Sequence, residues 1–164
     1  MATLTVFKFD TADGAEKSVT LCQDLEKRLL VKIIDGAIVT WPEGSSKPKT
    51  KQMYPLGAMD QTFWGELFGL IFFVPIFGPV ARKVMEIAMG PIGGIFADYG
   101  INNDFIKEVR QKVKEGTSAA FLLTESAATD KVAEEFKKKL PKYEILATNL
   151  SREQEEKLRA SFGV

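Results

Sequence analysis

Leu67-Phe-Gly-Leu-Ile-Phe-Phe-Val-Pro-Ile-Phe-Gly-Pro-Val-Ala81 runs from residue 67 to residue 81 without one charged side chain. A helix that crosses a bilayer needs about twenty apolar residues. This run is shorter, and Pro75, Gly78 and Pro79 break it near its end. The breakers place a turn at 74–79, with Pro79 in the first turn of the next helix. The expectation is an apolar helical hairpin inserted at about 60–98.

The two arms differ. In the first, Phe63, Trp64, Leu67, Phe68, Leu70, Ile71, Phe72 and Phe73 cover the whole helix circumference. A helix that is apolar all round is buried all round. In the second, Val80, Val84, Ile87, Ala88, Pro91 and Ile95 form one stripe, with Arg82, Lys83 and Glu86 off it. Each arm also carries a G-x-x-x-G spacing, Gly65 with Gly69 and Gly90 with Gly94, which lets helix backbones approach closely.

Burying a large apolar side chain is worth about 1.5–3 kcal/mol. The first arm therefore carries a burial preference of roughly 12–24 kcal/mol as an upper bound. A sheet beneath it covers one side, and the remainder exceeds the apolar patch a monomer tolerates. The sequence thus predicts an interface, with other subunits or with a membrane, at Phe63, Trp64, Gly65, Leu67, Phe68, Gly69, Ile71, Phe72, Phe73, Ile76, Phe77, Gly90 and Gly94. Glu66 stands among these aromatics as a candidate functional acid, or as a carboxylate stabilised by a helix start.

Outward from the hairpin the elements alternate. Thr3–Phe9 reads as a strand, and Val19, Cys22, Leu25 and Leu29 as the stripe of an amphipathic helix after the Asp10–Gly14 turn. Val31–Trp41 is a β-branched strand. Lys47, Lys49 and Lys51 fall on one face of a short third strand, as lysines guarding a sheet edge or as a basic patch. Beyond the hairpin, Asn103 or Asp104 caps a helix carrying Phe105, Ile106, Val109 and Val113. Ser118–Thr124 suits a central strand, Thr129 opens another helix, Lys142–Asn149 is a strand, and Ser151 starts a final charged helix. This order predicts one α+β domain over 1–164: a ferredoxin-like sandwich, helices on one face of a mainly antiparallel sheet, with the hairpin inserted.

Composition removes whole classes of chemistry. The 22 basic and 22 acidic residues cancel, so no long-range field gathers nucleic acid, and none is expected as a partner. Histidine is absent and cysteine occurs once, at Cys22. The commonest general base, metal ligand and pH switch are therefore missing, and neither metal nor cofactor is expected. Phosphate-loop, dinucleotide-binding, C-x-x-C and nucleophile-elbow motifs are likewise absent from the sequence. The first ten residues lack the pattern of a signal peptide. With a single thiol, this predicts a reducing compartment, the bacterial cytoplasm, at the inner face of the membrane if the hairpin engages lipid.

Three blocks resemble a bacterial family of unknown function labelled as a predicted membrane protein with a glycine-rich centre. They are the opening strand ending Phe9-Asp10, the stretch Trp64–Phe73 (WGELFGLIFF), and Gly94–Val109 (GIFADYGINNDFIKEV). The segment Gly116–Leu123 (GTSAAFLL) fits the same pattern. The resemblance implies a fold and a membrane connection, and it brings no catalytic residues. The functional expectation is a non-enzymatic protein that homo-oligomerises through its hairpin. A peripheral membrane protein of envelope stress, inserting the hairpin into one leaflet, is the alternative. A small-ligand binder or enzyme with a pocket between sheet and hairpin is the third reading.

Overall fold

A computed structural model describes residues 2–54, 61–73, 96 and 99–164. Five strands form one antiparallel sheet: β1 (Thr3–Phe9), β2 (Val31–Thr40), β3 (Lys49–Gln52), β4 (Ser118–Ala127) and β5 (Tyr143–Thr148). Their order across the sheet is β3-β2-β4-β1-β5. The helices among the described residues are α1 (Gly14–Lys27), α2 (Gln61–Phe68), α3 (Asn103–Lys112), α4 (Thr129–Lys139) and α5 (Arg152–Phe162). A π-helical turn, Gly69–Phe73, continues α2.

The period-2 alternation of the strands sorts their side chains to two faces. On one, Leu4 and Val6 of β1, Ala37 and Val39 of β2, Phe121 and Leu123 of β4 and Leu146 of β5 meet α2, the π-turn and α3. On the other, Phe7 and Phe9, Ile33 and Ile38, Ala120 and Leu122, and Ile145 meet α1, α4 and α5. Helices therefore cover both faces, where the sequence predicted one. The aromatic arm and α3 supply the second layer.

Two bulges interrupt the β2–β4 ladder. Lys32 pairs with Ser126, Ile33 with Thr124 and Asp35 with Leu123, which leaves Glu125 and Ile34 without opposite residues. The bulge at Ile34 turns Asp35 onto the arm's face. At Gly36 an added Cβ would collide with Met53 Sδ and stand 3.0 Å from the Phe121 carbonyl oxygen, so a larger residue after the bulge would have to displace Met53 and press on the β4 backbone.

Several local expectations shift by a residue or a role. Asn102, not Asn103 or Asp104, caps α3, its side chain accepting from Phe105 N. Ala128 precedes α4 and offers no side-chain cap. Ser151 does cap α5, accepting from Gln154 N. Leu29 leaves the α1 stripe: it is 90% exposed, and Leu21 joins Cys22 and Leu25 in the core instead. Lys49 and Lys51 lie on the edge strand β3, exposed to solvent.

Candidate functional site: the aromatic arm and its anchor

The first arm lies against its own sheet. Phe63, Trp64, Leu67, Phe68 and Ile71 are all buried within the single chain, as is Leu70, and Phe72 is partly buried against the same core. The burial demand that pointed to a partner is thus met intramolecularly for these six large side chains. Ile76, Phe77, Gly90 and Gly94 lie outside the described residues, as does the second arm. Phe73 closes the π-turn.

Aromatic rings at positions i, i+4 and i+8 line the inner side. Trp64 stacks on Phe68 at 5.9 Å, and Phe68 tilts against Phe72 at 6.4 Å. Phe121 on β4 meets both Phe68 and Trp64 edge-on, at 5.1 and 6.4 Å. Trp41, just after β2, meets Phe72 edge-on at 6.2 Å. At the other end Phe63 touches Phe96 and Tyr99, ring centroids 5.5 and 5.7 Å away. Such edge and offset contacts add roughly 0.5–1.5 kcal/mol each beyond burial.

One polar group sits beneath this row. Asp35 is fully buried. Its Oδ1 accepts the Gly36 backbone N–H at 2.7 Å. Its Oδ2 accepts Gln52 Nε2 at 3.1 Å and Trp64 Nε1 at 3.3 Å. A buried carboxylate is costly unless donors replace its water, and β2, β3 and α2 each contribute one. Asp35 therefore fixes the azimuth of the arm: turning it would take the Trp64 indole from its acceptor and one donor from the carboxylate. The sequence signal was an acid inside Ile-Ile-Asp-Gly-Ala-Ile, 33–38, a strand otherwise apolar. It went unread because strict alternation gives Asp35 the face of Ile33, and only the bulge moves it.

The anchored orientation leaves the glycines outside. Gly65 is exposed and Gly69 partly so. A Cβ built on either meets nothing within 4 Å among the described residues. Glu66, beside them, is partly exposed. The structure thus brings Phe63, Trp64, Phe68 and Phe72 of the predicted interface together against the sheet and places Gly65 and Gly69 apart from them.

A second clasp holds the chain ahead of α3. Asn149 Oδ1 accepts Leu4 N at 2.9 Å, and its Nδ2 donates to the carbonyls of Ala2 and Tyr99 at 3.0 and 2.9 Å. Gly100, at φ +72°, packs so close that an added Cβ would lie 3.0 Å from Asn149 Cβ. The Tyr99-Gly100 pair is therefore a close-packed left-handed turn.

Among the described residues no group of three or more Cys, Asp and Glu side chains can hold a metal ion. No helix among them is long and apolar enough to cross a membrane. Fold and site together define an α+β protein whose antiparallel sheet carries an aromatic helical arm on one face and three helices on the other. The chain belongs to the family described as a protein of unknown function (DUF1269), whose model matches residues 58–163. Comparison with curated proteins and with solved structures finds no match. The matched segment holds the arm, β4 and β5 but not β1, although β1 is the strand that pairs with both β4 and β5.

Proposed function

We propose that this protein is a non-enzymatic, self-assembling scaffold that homo-oligomerises through the outer side of its hairpin. The observation that carries this reading is the orientation of the first arm. Its aromatic side is taken up by the chain's own sheet, while Gly65 and Gly69 stand on the side turned away with no described neighbour within 4 Å of a built Cβ. A surface of small residues one helical turn apart is what a second helix needs for close backbone approach. The strand order β2-β4-β1-β5, with α1 joining β1 to β2 and α4 joining β4 to β5, supports a ferredoxin-like sandwich. In that reading β3, the hairpin and α3 form the insertion between β2 and β4.

The uncharged run from Leu67 to Ala81 favours a second reading: shallow insertion of the hairpin into one leaflet at the cytoplasmic face. Light-scattering mass in solution, alongside liposome flotation, separates the two. A discrete oligomer that stays out of the lipid fraction, and that Gly65→Leu or Gly69→Leu reduces to smaller species, supports assembly. A monomer without lipid that floats with vesicles sinks it and establishes the membrane reading.

A further inference from the structure

The sheet face opposite the arm holds a cleft of about 170 Å³, walled by α1, α4 and α5 and floored by β1, β2 and β4. Phe7, Ile33, Leu122, Val132 and Phe136 make its floor and inner wall apolar. Hydroxyls gather along one side. Thr3 and Thr124 are directly opposed across the β1–β4 ladder, Thr5 follows on β1, and Thr129 opens α4.

Thr5 is the informative member. It is only 7% exposed, yet its hydroxyl makes no hydrogen bond among the described residues, and it lines the cleft. Its oxygen is not one of the buried side-chain atoms that lack a partner, so water reaches it from the cleft. Thr5 is thus a standing donor and acceptor at the polar side of an apolar space. Cys22, also on the lining, contributes no nucleophile: burial pushes its thiol up to about 12.

Charge is confined to the mouth. Glu125, on the bulge of β4, is the one ionisable carboxylate of the lining, and it pairs with Lys32 at 2.7 Å. An ion inside the cleft would find no countercharge, and an uncompensated buried charge is prohibitive. We infer that this cleft binds a small neutral amphiphile, with an apolar body of about eight to ten heavy atoms and one hydroxyl, carbonyl or amide directed at Thr5. The size follows from comparison with apolar cavities of about 150 Å³, which admit benzene. The Thr hydroxyls both donate and accept, so they suit either kind of head group.

The test uses the full chain and three probes of one shape: benzyl alcohol, benzoate and benzylammonium, followed by protein NMR. Saturable shifts with benzyl alcohol at Thr5, Leu122 and Val132, and at least tenfold weaker effects from both ions, are expected. Thr5→Val keeps the side-chain volume and removes the hydroxyl, so binding of the alcohol should weaken about three- to tenfold. Leu158→Trp, at the half-buried rim, should abolish it while leaving the remaining amide spectrum intact. Absence of saturable shifts with the alcohol, equal binding of the ions, or indifference to both substitutions overturns the inference.

Discussion

Ser118, the first residue of β4, caps helix α1 from 103 positions away: its Oγ accepts the Ala15 backbone N–H at 3.0 Å. The same hydroxyl donates to the Thr11 carbonyl at 2.7 Å. Asp13, the local N-cap, makes no side-chain cap bond, so a residue of the sheet does the work of a helix cap. Ser118→Ala should cost about 1–2 kcal/mol in a urea titration. Exchange of the Ala15 amide should accelerate by more than the global loss accounts for. Equal protection in both proteins would show that water replaces the hydroxyl without penalty.

The Asp35–Trp64 contact should be measurable as a coupling. Trp64→Phe alone removes one donor from a buried carboxylate and should destabilise by about 1.5–3 kcal/mol. Asp35→Asn alone should also destabilise, since Gly36, Gln52 and Trp64 all donate to its carboxylate. The double variant should cost less than the sum, by about 0.5–3 kcal/mol. Strict additivity would remove the anchor from the account of how the arm is held.

Leu29 stands at φ +60°, in the turn that closes α1, where Leu29 N donates to Glu26 O and Leu30 N to Leu25 O. This is the position where helices prefer glycine. A left-handed non-glycine residue costs roughly 1–2 kcal/mol, and its 90% exposure means little burial is lost on truncation. Leu29→Gly should therefore stabilise by about 0.5–1 kcal/mol, whereas Leu29→Ala should not. A lower urea midpoint for the glycine variant would show that Leu29 makes a compensating contact.

Cys22 gives alkaline pH a defined effect. Its thiol goes from an ordinary value of 9.0 to about 12 on burial, with Glu26 adding to the rise. A group raised on folding contributes stability that is complete below its unfolded value and is lost as pH climbs to the folded one. Between pH 9 and about 12, each unit should cost about 1.4 kcal/mol through this group. Burial also raises Tyr54 and Tyr143, which steepens the loss at the upper end. Cys22→Ala should show a flatter decline between pH 9 and 10.5, and parallel curves for the two proteins would contradict the assignment.

Much of the fold was legible because it rests on local pattern. The alternation of Thr3–Phe9 fixed β1 to the residue, and the Val31–Trp41 reading overran β2 by one. Ser151 announced α5 because its cap is made three residues away. What escaped was non-local. Ser118 caps a helix far behind it, Asn149 ties three segments together, and the Ile34 bulge reverses the face of Asp35. The arm was read as apolar and buried all round, whereas Gly65 is exposed and Glu66 partly so. The sheet was expected beneath one side of it, but periodicity cannot say how much of the arm that face takes up: Phe63, Trp64, Leu67, Phe68, Leu70 and Ile71 are all buried within the chain. The cleft left no mark at all: Thr3, Thr5, Thr124 and Thr129 look like ordinary strand and helix-start residues until the register sets them side by side.

The central place of β1 has a consequence for how the chain is made. Thr3 pairs with Thr124 and Thr5 with Thr148, so β1 waits for both of its neighbours until strands far behind it in the chain have been synthesised. In that interval both edges of β1 are unpaired, and the aromatic arm has been made before the strand that carries Phe121. Contacts of such long sequence separation slow folding, and exposed edges with uncovered apolar surface invite association between nascent chains. Translation stalled before β4 would release a product with a template edge and an adhesive helix, which makes the second half of the message the guardian of the first.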